Sequence, residues 1–439
     1  MRNCAIIHPL HLELETAGLF RHQALNTIIR RSNVKNCLIC KTPIEPFLSF
    51  GKMPIANGFL APEQYPEEYF FELKTAFCPR CKMVQLVDLV DERKMFHENY
   101  AFFSSTSVRM AEHFQRFAQG VMSEYLGASD PFVVEIGSND GIMLQNFSRA
   151  GVRHLGIEPS ANVAEVARGK GIRTISEFFN EDLASRIVAE HGQADAFLGA
   201  NVMCHIPYLH SVAAGIKILL KPRGVLMFED PYLGDIVQKT SYDQIYDEHA
   251  FYFSVASISH LFGEHGLEVI DVQPQNVHGG SMRYVIAHKG ARPVLAAVNT
   301  QRAKEDVLGL HRPETYDGLR RNVERSRDEL MSLLRDLKRQ GKRVVGYGAT
   351  SKSATVTNYC GITPDLVEFI SDTTPIKQGK FSPGAHIPVR PYRAFQERYP
   401  DYALLFAWNH AEEIMANEQK FRDAGGKWII YVPKVQVNA

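Results

Sequence analysis

The chain has no excess of either charge, since 49 lysines and arginines are set against 49 aspartates and glutamates over 439 residues. A surface that grips nucleic acid normally carries a basic excess with interleaved aromatics, and neither is present, so nucleic acid is not an expected partner. No apolar run approaches the roughly 20 residues that a membrane-spanning helix needs, so no membrane partner is expected. Met1 to Phe20 is broken by histidines, glutamates and Pro9, so it lacks an apolar signal-peptide core, and a cytoplasmic protein is expected. Cysteine is scarce, and seven residues unevenly placed cannot make a disulfide scaffold for a chain of this length.

Four of those cysteines nevertheless form two C-x-x-C knuckles, Cys37-Leu38-Ile39-Cys40 and Cys78-Pro79-Arg80-Cys81. Each turn presents two sulfurs to one side, and four thiolates at the corners of a tetrahedron are what a structural Zn²⁺ takes. The 37 residues between the knuckles exceed the spacing of a simple ribbon, so a β-rich insert is expected there. Free cysteines or a redox C-x-x-C are the alternative readings.

A length of 439 residues is too great for one core. Four segments are expected: a polar lead-in over 1–34, a zinc-binding domain over 35–104, an alternating strand and helix domain over 105–290, and a second α/β domain over 291–439. Candidate strands of the middle domain are Phe132 to Ile136, His154 to Ile157, Thr174 to Ile175, Ala196 to Ala200, Gly224 to Glu229, Glu268 to Val272 and Ser281 to His288. Pro313 to Arg339 carries leucines near helical spacing and reads as one long helix joining domains. Beyond it, Arg343 to Ala349 is a strand with a glycine turn, followed by strands at Leu366 to Ser371, Tyr402 to Ala407 and Trp428 to Val432.

The run Val133-Val134-Glu135-Ile136-Gly137-Ser138-Asn139-Asp140-Gly141 reads as a buried strand that stops in a glycine-bounded loop before a helix. The next strand ends in Glu158, placed to accept both hydroxyls of a ribose. A pyrophosphate-binding G-x-G-x-x-G is absent, and acidic side chains stand where phosphates would sit. Carboxylates repel phosphate and suit an adenosine ligand with an ammonium and a sulfonium, which is S-adenosylmethionine. The acidic loop, Glu158 and the seven strands resemble class I methyltransferases, whose last two strands are antiparallel. Glu135, Gly137, Asn139, Asp140, Gly141 and Asn201 are expected on the donor side, with Asp140 pairing with the ammonium. Phe178 either stacks on the adenine, with Glu177 accepting from its amino group, or is core.

Two histidines stand at adjacent strand ends beside that loop: His205 in Asn201-Val202-Met203-Cys204-His205-Ile206-Pro207, and His249 in Tyr242-Asp243-Gln244-Ile245-Tyr246-Asp247-Glu248-His249. Loops at the carboxyl ends of parallel strands face the ligand crevice, which moves both from structural to candidate catalytic groups.

The knuckles, E-x-G-S-N-D-G, the two histidine motifs, His278-Gly279-Gly280-Ser281 and Lys377-Gln378-Gly379-Lys380-Phe381 occur together and in this order in a known family. The chain resembles the sugar C-methyltransferases that act on nucleotide-linked 4-keto-6-deoxysugars, the group with the tetronitrose and kijanose C-3 methyltransferases. The resemblance runs from about Cys37 to the C-terminus. It implies a class I Rossmann-like donor domain flanked by a small β-rich zinc domain and a C-terminal Rossmann-like α/β domain around one cleft. It further implies a base at His249, oriented by Glu248, with His205 and Tyr100 stabilising an enolate or positioning the sugar and Tyr246 relaying or donating a proton. Zinc would be structural and lie away from the reacting carbon.

A nucleotide diphosphate, thymidine- or guanosine-linked, needs cations and amide donors. Lys352, Lys377 and Lys380 either supply that charge or are solvated surface lysines. His278 and Gly279 belong either to a backbone nest or to the turn of a hairpin. Methylation at C-5, an O- or N-methyltransferase, an RNA-binding zinc-knuckle protein and a nicotinamide enzyme using Gly346 to Ala349 are the competing readings. The expected state is a monomer or a small homo-oligomer.

Overall fold

The computed structural model describes residues 35–91, 95, 108–127 and 129–438. Its strands are β1 (Lys35–Asn36), β2 (Pro43–Ile44), β3 (Pro46–Pro54), β4 (Phe70–Phe77), β5 (Val84–Leu86), β6 (Phe132–Ile136), β7 (Arg153–Ile157), β8 (Thr174–Ile175), β9 (Ala194–Ala200), β10 (Leu220–Pro231), β11 (Phe251–Tyr252), β12 (Leu267–Gln275), β13 (Ser281–His288), β14 (Val344–Tyr347), β15 (Ile370–Asp372), β16 (Val389–Pro391), β17 (Tyr402–Leu405), β18 (Lys427–Ile430) and β19 (Gln436–Asn438).

The central sheet has the order β12-β13-β10-β9-β6-β7-β8. Its strands β8, β7, β6, β9 and β10 pair in parallel, while β13 runs antiparallel to both β10 and β12. The last two strands are thus antiparallel to each other, and β13 alone is reversed against the rest. Every residue of β6 is buried, because helices cover both faces and a continuous apolar run is what such a strand requires. β6 sits beside the point where the strand order reverses, and the crevice above the strand ends at such a point is where α/β sheets bind ligands.

The N-terminal sheet, β11-β5-β4-β3, is antiparallel. Its outermost strand β11 comes from far along the chain, immediately after the Tyr242 to His249 loop. The first sheet therefore holds one end of the histidine loop.

A third sheet, β16-β15-β14-β17-β18-β19, is parallel except for β19. The helix Pro313–Arg339 precedes it, opening on Pro at its first turn and burying Tyr316, Leu319, Val323, Leu330, Leu334 and Leu337 along one stripe. Each such leucine contributes about 1.5–3 kcal/mol by leaving water. No helix among the described residues is long and apolar enough to cross a membrane.

Candidate active site

The two cysteine knuckles fold alike. Cys37 N–H donates to Thr42 O and Lys41 N–H to Cys37 O, and Cys78 and Lys82 repeat this pattern with Met83 and Cys78. Lys41 and Lys82 both take left-handed backbone, which turns each loop sharply enough to aim two sulfurs the same way. Cys37 Sγ lies 3.5 Å from Cys81 Sγ, and Cys40 Sγ lies 3.3 Å from Cys78 Sγ. Four sulfurs around Zn²⁺ with bonds of about 2.3 Å stand about 3.8 Å apart, so the set fits the ion with almost no movement. None of the four lines the cavity described next.

That cavity, of about 420 Å³, lies where the three sheets meet. Gly137, Asn139, Glu158, Phe178, Asn201, His205, Tyr246, Glu248, His249, His278, Lys352 and Lys377 all line it. On the β6 side, Glu158 is 6% exposed and its two carboxylate oxygens accept from Asn139 N–H (3.1 Å) and Ser160 N–H (2.8 Å). A carboxylate oxygen has a second lone pair, so both oxygens retain acceptor capacity. Burial raises this carboxyl, offset in part by those two backbone donors. Gly137 has φ +61°, and a Cβ there would come within 2.6 Å of Val202 Cγ2, so only glycine fits. Phe178 is half-buried on the cavity wall, while its neighbour Phe179 fills the core.

Other donor-side residues lie elsewhere. Asp140 does not line the cavity; it is 1% exposed and ion-pairs with Lys170 at 3.0 Å. Glu135 is buried in β6, its carboxyl raised well above normal by burial and by Glu158 and Asp140. Gly141 shapes the turn behind the loop, where a Cβ would press on Ile172. Glu177 lines the cavity, but its carboxylate ion-pairs with Arg186 at 2.5 Å.

The histidine loop carries the most specific geometry. His249 Nδ1 lies 2.8 Å from the Gln244 carbonyl, and its Nε2 lies 2.8 Å from Tyr246 Oη. A carbonyl only accepts, so Nδ1 bears the proton, Nε2 bears the lone pair, and Tyr246 donates to it. Burial, then the neighbouring His205, holds His249 well below its usual pKa. The His205 ring stacks on it at 5.3 Å and 18°, with its own pKa lowered to about 4 by burial. Both rings are neutral in the physiological range.

Glu248 does not orient His249, contrary to expectation. Adjacent residues in this loop point apart: Glu248 accepts from Asn57 Nδ2 at 2.6 Å, and the orienting group is the Gln244 carbonyl. Asn57 itself, a cavity residue from the first sheet's turn, had no sequence signal beyond its place between Pro54 and Gly58. Asp243 was equally hidden; its Oδ2 accepts from Trp408 Nε1 (2.6 Å) and Tyr431 Oη (2.7 Å), tying the loop to the third sheet. Tyr100 lies outside the described residues.

Across the cavity, β14 ends in a glycine turn and the helix Ser351–Cys360, whose N-cap Thr350 accepts from Ser353 N–H. Lys352 reaches Asn409 Oδ1 (3.2 Å) and lies over the Trp408 ring. Lys377 donates to Ala349 O at 2.8 Å. Burial lowers both lysines, with Asp243 and Asp372 respectively pulling back. Lys380 does not line the cavity. His278 enters it from the hairpin before β13, with left-handed backbone and its Nε2 2.6 Å from Asn201 Nδ2. Gly279 stays outside the lining, packed so closely under Trp408 that a Cβ would collide with the indole.

Three family profiles match in succession: a zinc binding domain over residues 37–96, a methyltransferase domain over 108–272, and a C-methyltransferase C-terminal domain over 276–433. Among solved structures, a SAM-dependent methyltransferase from Anabaena variabilis is 17% identical with a TM-score of 0.32, covering 40% of this chain and 84% of its own. Magnesium protoporphyrin IX methyltransferase from Synechocystis, with bound SAH, is 15% identical with a TM-score of 0.33, covering 45% and 93%. C-methyltransferase NovU from Streptomyces niveus is 36% identical over 393 residues, which is 89% of this chain and 93% of NovU. The chain therefore belongs to the C-methyltransferase family and is a SAM-dependent enzyme of that family with a four-cysteine zinc-binding domain.

Proposed function

We propose that the acceptor is a nucleotide-linked 4-keto-6-deoxysugar, methylated on the carbon next to the ketone, with C-3 as the site. The observation that carries this reading is the Tyr246–His249–Gln244 chain, beside neutral His205, in one cavity with Glu158 and Lys352. Carbon next to a ketone gives up its proton only to a well-placed base, and the enolate oxygen needs a donor as charge builds. An O- or N-methyltransferase would need no such pair.

Bound S-adenosylmethionine supplies an electrophilic methyl group. Glu158 accepts the ribose hydroxyls with its remaining lone pairs, Phe178 stacks on the adenine, and Asn139 and Asn201 meet the methionine moiety. Lys352 and Lys377 face the diphosphate. His249 is the base: the C-3 proton passes to Tyr246 Oη as the tyrosine's own proton moves to His249 Nε2. The Gln244 carbonyl holds Nδ1–H throughout, so the lone pair stays aimed at the tyrosine. His205, neutral because burial depresses its pKa, donates an N–H to the enolate oxygen, as a neutral imidazole can. Fixing the carbanion in line with the methyl supplies much of the remaining acceleration.

The test is incubation with S-adenosylmethionine and a panel of nucleotide-linked 4-keto-6-deoxysugars in deuterated water, followed by mass and NMR analysis. Deuterium exchange and a new methyl group at C-3 are expected. A methyl on C-5 or on a heteroatom overturns the regiochemistry, and no exchange or methylation across the panel overturns the acceptor class.

A further inference from the structure

The described residues hold a second cluster of metal-binding type apart from the four cysteines. Cys204, His205 and His249 each offer one ligand atom, and all three atoms lie within 4.8 Å of one another. Behind them Asp230 is wholly buried; its Oδ2 accepts from Cys204 N–H at 3.3 Å, and its Oδ1 has no hydrogen-bond partner. We propose that Cys204, His205 and His249 form an inhibitory site for a late divalent transition metal such as Zn²⁺ or Co²⁺, distinct from the structural zinc site.

The donor set decides the class of ion. One thiolate and two imidazoles are the mixed soft and borderline ligands that select zinc, cobalt and copper over magnesium or calcium. With Zn–S near about 2.3 Å and Zn–N near about 2.0 Å, three such ligands stand about 3.3–3.8 Å apart, so side-chain rotation without backbone movement closes the site. Binding expels the thiol proton of Cys204 to solvent, as coordination of a thiol requires. Asp230, protonated in the empty site because burial raises it to about 8, gives up its own proton as well, and the carboxylate so formed balances the second charge of the ion. Electroneutrality therefore holds once both protons have left through the cavity that His205 and His249 line.

Both nitrogens of His249 are already engaged, one by Tyr246 and one by the Gln244 carbonyl. Coordination through either nitrogen breaks one of those bonds and removes the lone pair or its aim. The inhibitory consequence rests on the proposed role of His249; the existence of the site does not.

The experiment uses the full chain with its four-cysteine site loaded with zinc, titrated with Co²⁺ and followed by sulfur-to-cobalt charge transfer and by metal content. One further equivalent per chain is expected, with a thiolate band that is lost in Cys204→Ser and a Co²⁺ affinity at least about tenfold weaker in both Cys204→Ser and His205→Gln. Circular dichroism and retained zinc verify that the variants are folded; if one is not, the wild-type stoichiometry and the other variant decide. Absence of a second equivalent, or variants that titrate like wild type, overturns the site. Binding of the second equivalent with unchanged methyl transfer keeps the site and overturns its link to His249 as base.

Discussion

Two glycine turns face each other across one cavity, and they are built from the same unit of strand, tight turn and helix. After β6 the unit is acidic: Glu135, Asp140 and Glu158 cluster about it. After β14 it is cationic, with Lys352 in the first turn of the helix Ser351–Cys360 and Lys377 bonded to Ala349. The backbone offers amide donors at both, so it is the side chains that choose the ligand. Carboxylates at the first turn repel phosphate and accept hydroxyls, whereas lysines at the second attract a diphosphate. The Tyr246 to His249 loop lies between them with neutral rings.

If both turns only bind, their variants lose affinity while the histidine between them carries the rate. His249→Ala is expected to lower kcat by about 10³, within the range for loss of a positioned base, with affinity for S-adenosylhomocysteine unchanged by calorimetry. Equal loss of cofactor affinity would break the division of labour. Glu158→Ala comes next. It removes acceptors for two ribose hydroxyls and for Asn139 and Ser160 N–H, so S-adenosylhomocysteine should bind about 10²-fold more weakly. The KM of the sugar nucleotide, measured at saturating cofactor, should stay within error.

Lys352→Met probes the opposite turn. The ammonium lies over the Trp408 ring on the cavity wall, with Asp243 favouring its charge, so its loss should raise the acceptor KM about tenfold without moving cofactor affinity. The converse pattern, weaker cofactor and unchanged acceptor, would exchange the roles of the two turns.

Much of this contrast is legible in sequence because it rests on local rules. A buried parallel strand reads as an apolar run, and β6 lies where that run places it; β8 and β13 also fall on their expected bounds. The helix Pro313–Arg339 is bounded by a proline at its start and by Gly341 just beyond its end, and its leucine stripe is periodic. The three-residue strands β16 and β19 carry no such pattern; they owe their order to pairing with β15 and β18. In the site, the histidine motifs announced themselves by composition, but their partners did not. Asn57 reaches Glu248 across 191 positions, and Trp408 and Tyr431 reach Asp243 across 165 and 188. Such contacts depend on how the sheets dock, which no periodicity encodes. The same holds for Asp140, whose acidity was legible but whose commitment to Lys170 was not.

The last expected effect is on stability and concerns buried groups in and behind the cavity between the two turns, where burial is the largest cause of the shifts in protonation. Burial raises Asp230 to about 8 and, with Glu248 adding, Asp247 to about 8, while it lowers His205 to about 4 and His278 to about 3. Below pH 6.5 the unfolded chain protonates both histidines and the folded chain does not, so stability falls as the solution is acidified from there. The aspartates oppose this: from about 4 to about 8 the folded state keeps protons that the unfolded state has released, so each lowers stability as pH rises through that window. Among these four groups the two trends offset each other between about 4 and 6.5, and from 6.5 to about 8 the aspartates act without the histidines. Each aspartate therefore contributes a fall in stability of up to about 1.4 kcal/mol per pH unit between pH 6.5 and 8, read as the difference between wild type and variant in urea unfolding at the two pH values. Asp230→Asn, which cannot ionise, should remove its share of that slope. A slope unchanged in the variant would mean that Asp230 is already ionised when folded, and a fixed negative charge would then lie buried behind Cys204, next to the histidines of the cavity.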